Sequence, residues 1–553
     1  MSLSINNNFL SLTTQRNLAN HTGEVTRFIA RLSSGLRIQS AADDAAGQAI
    51  AGRMTSQLNG MRQAVRNVSD ATSMLQVADG ALSNVTDGLQ RLRELAVASG
   101  NGSYNDRDRA ALQQEADQIL GQITRLGNDT AFNGQAIFAP ESPADPAYER
   151  RRDVLDSLKT GWLSSAEDMV QQYYGLHADG ADLGINLETS DGPSGVLASV
   201  TGSTAPGSGV TLNIDMADFA RIATPDGGTG PLYDDRVIAH EMVHAVMLRS
   251  TSFNFPQWFT EGTAELIQGA DERVAGALSG GQTAAGIVGT ITGGGFSYEG
   301  GYVASRYLHD RLKAMGVDGG MKGLMTYLSG HRAADLDTAL NAVTGGQYGN
   351  TGDFLADFAA HGANYIQNTM NLTNADTGAI GGFDADGGPV RNARDVVADT
   401  GSGSAARPLR NFRVGYPDIG SRSTEVRRMH IQAGAGAGDV IDLEFGAVTS
   451  GALGLAGLDL RNGPVALLRI DEALARVGVE RSRVGAYGNR MDAVSGNLQT
   501  ASLNLAAARS RIEDTDFADS TARLTRAQIL QEAASAMLTQ ANGEPRAILA
   551  LLR

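Results

Sequence analysis

The chain has 553 residues, enough for about three or four domains of average size. Its 61 acidic and 45 basic residues give a formal net charge of −16, which argues against a nucleic-acid-binding protein because such proteins have basic surfaces. It has no cysteine, which excludes disulfides and thiolate metal sites, and no apolar run long enough to predict membrane insertion.

The first 140 residues predict long helices. Apolar residues at 25, 28, 29 and 32 share one helical face. Residues 54–89 place apolar side chains at alternating steps of four and three, which is typical of a coiled-coil seam. A turn at 100–106 precedes another amphipathic helix at 107–126. The N-terminus lacks the basic and apolar regions of a signal peptide, so we expect any export to use a route without a cleaved signal.

The middle of the chain differs in composition from both ends. Both tryptophans, Trp162 and Trp258, and most tyrosines lie there, whereas the ends are rich in Ala, Leu, Gln, Asn, Ser and Arg. This shift predicts a globular unit, from about 141 to 424, inserted into a helical chain.

The middle region contains His240-Glu241-Met242-Val243-His244 within an otherwise apolar stretch. Histidines four positions apart share one helix face, so both imidazoles can reach one metal ion, with Glu241 beside a metal-bound water. Zn²⁺ accepts imidazole and carboxylate ligands. A chance match and a satisfied buried polar cluster are the alternatives, but burying these groups without a shared partner is costly.

The C-terminal part begins with two alternating stretches, at 429–432 and 440–445, which predict β-strands. Val477, Val484, Met491 and Leu498 then repeat every seven residues and predict a long helix, and a second helix follows residues 514–516. The simplest arrangement pairs the N-terminal helices with the C-terminal ones. Their apolar faces fit an intramolecular bundle and contacts with other copies of the chain equally well.

Both ends resemble bacterial flagellins. Residues 29–38 read IARLSSGLRI and residues 40–50 read SAADDAAGQAI, similar to the flagellin N-terminal signature. Residues 511–518 (RIEDTDFA), 526–531 (RAQILQ) and the closing AILALLR are similar to the C-terminal signature.

The flagellin resemblance implies an extracellular flagellar filament subunit. It implies export by the flagellar type III machinery, with its cap and chaperone, and assembly with other flagellin subunits. It divides the chain into an N-terminal filament-core helix (1–45), helical core segments at 46–140 and 425–508, the insertion at 141–424, and a C-terminal core helix (509–553). Residues 90–96 resemble the segment recognised by a Toll-like receptor, although a solvated helix face that packs in the filament is the favoured explanation.

Downstream of the two histidines, Trp258-Phe259-Thr260-Glu261-Gly262 resembles the second helix of gluzincin metallopeptidases, in particular the collagenase type. The resemblance implies that Glu261 is the third zinc ligand. Glu265, one turn further on, is the alternative ligand, or else orients an imidazole.

The segment Tyr298-Glu299-Gly300-Gly301 is similar to a Tyr-Glu-x-Gly segment that begins a helix in several gluzincins. By that resemblance the Tyr298 hydroxyl stabilises the oxyanion during peptide hydrolysis, with Tyr302 as the alternative. Tyrosines at such spacing equally often pack in the core.

Together the patterns predict a mainly α protein with mixed α+β parts. A coiled-coil helical flagellin core from both termini would carry an inserted zincin-like α/β protease domain, the combination called flagellinolysin. The expected function is that of a filament subunit displaying a zinc metalloendopeptidase that acts on proteins. The alternative is a purely structural flagellin whose insertion is inactive and serves adhesion or spacing.

Overall fold

The computed structural model describes residues 8–551 except 144, 189–191, 194, 206–207, 220–225, 229, 231–232, 374, 400–407 and 421–424. In chain order the first elements are α1 (Phe9–Ser34), α2 (Ala45–Ser99), α3 (Asp106–Asp129), β1 (Ala131–Phe132), β2 (Gln135–Ala136), α4 (Pro146–Ser157), a π-helical turn (Leu158–Trp162), α5 (Leu163–Tyr174), β3 (Asp182–Glu188), β4 (Ala198–Gly202), β5 (Val210–Asp215), α6 (Asp234–Ser250), α7 (Gln257–Gln268) and α8 (Asp271–Ser279). They are followed by α9 (Ala284–Thr292), α10 (Tyr298–Ala314), α11 (Met321–Gly330), α12 (Leu336–Thr344), α13 (Thr351–Asn368), α14 (Phe383–Asp386), β6 (Arg413–Gly415), β7 (Val426–Gln432), β8 (Val440–Gly446), α15 (Gly463–Glu513) and α16 (Phe517–Leu551).

The two ends of the chain form one helical core. Helix α2 packs along α15, and α1 packs along α16. The link between α1 and α2 lies beside the link between α15 and α16. There the Arg37 N–H donates to the carbonyl of Glu513 (2.6 Å), and the Thr515 N–H donates to the carbonyl of Gly35 (2.9 Å). The predicted pairing of N-terminal with C-terminal helices is therefore confirmed.

The predicted coiled-coil seam is the interior of this core. Leu82 and Leu89 of α2 are fully buried in the same apolar cluster as Val477 and Val484 of α15. The terminal helices are less well covered, because large apolar side chains such as Phe9 on α1 remain exposed. The helices thus pair within the chain and still leave apolar surface uncovered.

Two short antiparallel hairpins connect the core to the middle region. Strands β1 and β2 join through Asn133 and Gly134, both at positive φ, which is the turn chemistry that two-residue hairpins favour. Strands β7 and β8 pair over their whole length. The Arg427 side chain donates through Nε to the Phe138 carbonyl at 2.9 Å, so the chain leaves the core and returns to it at neighbouring points.

The middle region is a four-stranded sheet packed with helices. The strand order is β4-β5-β3-β6, with β3 parallel to β5 and β6, and β4 antiparallel to β5 at one edge. Helix α6 lies at the centre, and every one of its residues is buried. It has no side-chain N-cap, so tertiary packing rather than capping stabilises it.

A group of buried charges joins the middle region to the core. Arg469 of α15 lies 2.7 Å from Asp156 of α4, and Glu472 of α15 lies 3.4 Å from both Arg152 and Lys159. Burial raises the pKa of Asp156, and Arg469 and Arg152 oppose that rise. Since these partners are on different segments, removing one of them leaves a buried charge unpaired.

Among the described residues, no helix combines the length and apolar character that a membrane crossing requires.

The seam of α2 and α15 yields a stability prediction. We expect Leu89→Ala to lower the free energy of unfolding by about 2–5 kcal/mol, because Leu89 is 0% exposed and its removal leaves a cavity. Urea unfolding of the monomeric chain, followed by far-ultraviolet circular dichroism, measures this change.

The matched control is Leu503→Ala on α15, where the side chain is 73% exposed, and the expected change is within about 0.5 kcal/mol. Equal losses for both variants would contradict the buried seam.

Candidate metal centre

Two packed helices bring the predicted site residues together. Helix α6 carries His240, Glu241 and His244, and α7 carries Glu261 and Glu265. The ligand atoms of His240, Glu241 and His244 lie within 4.8 Å of one another. Glu261, 17 positions beyond His244, reaches the same point because the intervening loop returns the chain antiparallel to α6.

Three ligand atoms converge on one point. Nε2 of His240 lies 3.3 Å from Nε2 of His244 and 3.2 Å from Oε2 of Glu261, and Nε2 of His244 lies 3.4 Å from the same oxygen. Ligand atoms held at bonding distance by a tetrahedral zinc ion stand about 3.3–3.4 Å apart. The three atoms therefore form a triangle of the size that Zn²⁺ requires, with ligand types that zinc accepts.

The electrostatics of the triangle favour a cation. Burial by itself would lower the pKa of His240, but hydrogen bonds to Glu261 and Glu265 outweigh burial and raise that pKa to about 10. Burial would raise the pKa of Glu261, but its hydrogen bonds with His240 and His244 hold that pKa far below its usual value. The surrounding carboxylates thus stabilise positive charge between the imidazoles, as a proton or as a metal ion.

Glu265 lies on the other side of the His240 ring from Glu261. Its Oε1 is 3.3 Å from Nδ1 of His240, whereas Nε2 points into the triangle. Its second oxygen contacts Arg273 Nε at 3.3 Å and accepts from Gln268 at 3.4 Å. This position suits a carboxylate that orients a metal-binding imidazole, and it does not let Glu265 reach the same ion as Nε2.

Glu241 lies beside the triangle in a largely dry position. Burial raises the pKa of Glu241, while His240 and His244 oppose that rise. The backbone N–H of Val200, on edge strand β4, also opposes that rise. Glu241 is therefore fixed between the histidines and the edge of the sheet.

The loop between α6 and α7 packs against His244. Phe253 has a φ of 54°, which is unusual for a residue other than glycine, and its ring meets that of His244 edge-on at 6.2 Å. Within the described part of the chain, Nδ1 of His244 is buried without a hydrogen-bond partner. The ring is thus held by packing, whereas the His240 ring is held by Glu265.

The structure separates the two candidate tyrosines. Tyr298 begins α10, is 43% exposed, and has its ring centre 6.2 Å from that of His240. Burial raises the pKa of Tyr298, and Glu261, Glu265 and Glu241 add to that rise, which keeps its hydroxyl protonated. Tyr302 is fully buried, and its hydroxyl donates to Asp271 at 2.8 Å, away from the triangle. Of the two tyrosines, Tyr298 therefore lies beside the triangle and Tyr302 does not.

Two features of the site could not be predicted from the spacing of residues in the sequence. The Arg273 guanidinium lies 5.2 Å from the centre of the Tyr298 ring while it contacts Glu265. Gly262 and Gly301 face each other where α7 crosses α10, and a Cβ on Gly262 would come within 2.1 Å of the Gly301 carbonyl oxygen. This close approach places Tyr298 over the triangle and gives a physical reason for the glycine after Glu261.

Comparison with known proteins accounts for the helical core. The bacterial flagellin N-terminal helical region matches residues 5–142, and the bacterial flagellin C-terminal helical region matches residues 467–552. No protease family is detected in the chain.

Curated relatives align over nearly the whole chain. A flagellin of Salmonella rubislaw is 30% identical over 561 residues, and one of Salmonella moscow is 33% identical over 560 residues. The phase 2 flagellin of Salmonella typhimurium is 33% identical over 564 residues. Each alignment covers 99% of this chain and 99% of the relative. The chain therefore belongs to the bacterial flagellins, the structural subunits of the extracellular flagellar filament.

Proposed function

We propose that this flagellin carries a zinc-dependent endopeptidase in its middle region and displays it on the filament surface. The observation that carries the proposal is the triangle of His240 Nε2, His244 Nε2 and Glu261 Oε2, with Glu241 beside it. A general structural cluster would not need three metal-ligand atoms to converge at zinc spacing. The gluzincin-like sequence around Glu261 supports the same conclusion.

In the proposed reaction each residue has one role. His240, His244 and Glu261 hold Zn²⁺, and bound zinc would lower the pKa of a water molecule and polarise the scissile carbonyl. Glu241 accepts a proton as general base and passes it to the leaving nitrogen. Burial raises the pKa of Glu241, which makes its carboxylate a better proton acceptor.

Two further residues support this chemistry. Glu265 orients the His240 imidazole through Nδ1. Tyr298, with its hydroxyl kept protonated, donates a hydrogen bond to the oxyanion as negative charge develops there.

The edge strand β4 is the proposed binding site for the substrate backbone. Among the described residues it pairs with β5 alone, and its unpaired side faces Glu241 near Val200. An extended peptide can add to such an edge through main-chain hydrogen bonds, which recognise any sequence. This arrangement favours an unfolded or extended protein segment as substrate.

The proposed display on the filament surface follows from where the middle region joins the core. Its helix α4 contacts α15 near Glu472, whereas α15 meets α16 at its far end, after Glu513. At 1.5 Å per residue these two points are about 60 Å apart along α15. The middle region is thus far from α1 and α16, the helices whose uncovered apolar surface suits contacts between subunits.

One finding favours the alternative of a purely structural flagellin, namely that no protease family is detected. In that case the middle region would serve adhesion or spacing, and its His and Glu residues would form a proton-sharing polar cluster. Zinc content and proteolysis separate the two functions.

The decisive variant is Glu241→Gln. It keeps the triangle intact but removes the general base, so we expect proteolysis by isolated filaments to fall by about 10³-fold or more while zinc content and filament assembly are unchanged. Hydrolysis of a fluorogenic protein substrate, with elemental analysis for zinc, measures both.

The control for Glu241→Gln is Glu299→Gln, the same change at a residue on α10 outside the triangle, and parental activity is expected. Activity of Glu241→Gln filaments at the parental rate would exclude the proposed chemistry. Absence of zinc and of proteolysis in the parent would favour the structural alternative.

Glu261 and Glu265 provide a matched pair one turn apart on α7. We expect Glu265→Gln to weaken zinc binding about 10–100-fold, because the Glu265 carboxylate orients the His240 imidazole through Nδ1, on the side of the ring away from the metal. Glu261→Gln should weaken binding considerably more, since it removes an ionised ligand. Competition with a chromophoric chelator measures both affinities, and the reverse order would show that Glu265 is the ligand.

Tyr298 and Tyr302 provide a second matched pair. Tyr298→Phe should lower kcat about 10–100-fold with little change in KM or in thermal stability, because the hydroxyl acts on the developing charge. Tyr302→Phe should leave kcat nearly unchanged and lower the free energy of unfolding by about 1–3 kcal/mol, since it removes the hydrogen bond that the Tyr302 hydroxyl donates to buried Asp271. Steady-state kinetics and tryptophan-monitored unfolding test both, and a kcat loss confined to Tyr302→Phe would reverse the roles.

A further inference from the structure

We propose that Arg273 is a positioning residue of the metal centre, which holds the Tyr298 hydroxyl and the Glu265 carboxylate in a fixed relation to the triangle of ligand atoms. This inference rests on the proposed peptidase function and adds a residue to it. A guanidinium has no lone pair to offer a metal ion, so Arg273 acts through the two side chains that it contacts and not as a ligand.

Four side chains, each from a different helix, form a closed ring of contacts. Oε1 of Glu265 (α7) lies 3.3 Å from Nδ1 of His240 (α6), and Oε2 of Glu265 lies 3.3 Å from Nε of Arg273 (α8). The Arg273 guanidinium lies 5.2 Å from the centre of the Tyr298 ring (α10), and the centre of that ring lies 6.2 Å from the centre of the His240 ring. Arg273 therefore joins the carboxylate behind His240 to the tyrosine beside it.

The charges of the site also give Arg273 a role. The carboxylates of Glu241, Glu261 and Glu265 lie around the two imidazoles, and a bound divalent ion would neutralise two of these three charges. The Arg273 guanidinium supplies the remaining positive charge. Because the Glu265 side chain is 1% exposed, water screens its charge weakly, and its attraction to Arg273 is correspondingly strong.

Helix α8 is fixed at its first residue, which places Arg273 beside α10. The Asp271 N–H donates to the Thr377 carbonyl at 3.0 Å, and the Asp271 carboxylate accepts from the Tyr302 hydroxyl at 2.8 Å. Tyr298 and Tyr302 are one turn apart on α10, so they lie on the same face of that helix. Asp271 and Arg273 thus attach the start of α8 to two successive turns of α10.

Tyr298 needs such support because it lies at an exposed helix end. It is the first residue of α10, and the glycines at 293–295 shortly before it are exposed. Its ring contacts the Phe296 ring edge-on at 5.1 Å and forms a cation–π contact with Arg273. A displacement of about 1 Å in a group that acts on the reacting atoms costs roughly 100-fold in rate. A side chain that fixes the ring therefore affects kcat without touching the substrate.

The test uses the full-length chain and a matched control. Arg273→Met keeps an unbranched stem and removes the charge, and Arg273→Lys restores the charge. The control is Arg413→Met, because Arg413 on β6 forms an exposed ion pair with Asp182 at 2.8 Å, at the edge of the sheet opposite β4. Both tryptophans lie in the middle region, so tryptophan emission during heating checks the folding of that region in each variant.

We expect Arg273→Met to weaken zinc binding about tenfold, through Glu265. At saturating zinc it should lower kcat about tenfold with little change in KM, through Tyr298. Arg273→Lys should recover most of both losses, and Arg413→Met should match the parent. Competition with a chromophoric chelator measures the zinc affinity, which reports on Arg273 without any peptide substrate.

Double variants show whether Arg273 acts through its two contacts. Combined with Tyr298→Phe, Arg273→Met should lower kcat by no more than about a further twofold, since no hydroxyl remains to be positioned. Combined with Glu265→Gln, it should weaken zinc binding by no more than about a further twofold. A residue that only supports the fold would give independent losses in these backgrounds.

Parental zinc affinity and kcat in Arg273→Met would overturn the inference and leave the proposed function intact. Losses that remain about tenfold in both double variants, or that Arg273→Lys does not recover, would also overturn it. A parent chain that neither binds zinc nor cleaves protein would instead refute the proposed function, and this inference with it.

Discussion

The pairing of α2 with α15 is the contact on which the rest of the molecule depends. These helices come from opposite ends of the chain, and their buried leucines and valines form one continuous seam. Because the seam closes through residues far apart in sequence, everything between residues 139 and 425 is a long insertion fixed at both ends. Buried charges around Arg469 and Glu472 then hold the first helices of that insertion against α15.

Inside the insertion, close packing and charge act together. The crossing of α7 and α10 at Gly262 and Gly301 brings carboxylates and Tyr298 around two imidazoles. The carboxylates of Glu261 and Glu265 raise the pKa of His240. Helix α6 packs against α7 and against strands β4 and β5, so it is the common element between the sheet and the triangle.

Sequence patterns predicted the parts of this structure that are local. The heptad repeat identified the seam around Leu82 and Leu89, the His240-to-His244 spacing predicted a shared helix face, and the composition shift marked the insertion. Contacts between distant segments had no such signal. The strand order of the sheet and the facing glycines depend on tertiary packing, which spacing along one helix or strand does not encode. Glu261 could be predicted as a ligand only from the resemblance to gluzincins, because its separation from His244 in the sequence is compatible with many different loops.

The hydrogen bond from Arg427 to the Phe138 carbonyl has an evolutionary consequence. The insertion begins after β2 and ends before β7, at points joined by this hydrogen bond, so the geometry of the core imposes no size, fold or chemistry on what is placed between them. Exchange of the whole segment by recombination would require only that the two junctions stay side by side. A filament built from identical cores can therefore acquire a new property in one genetic step, and every subunit then carries it.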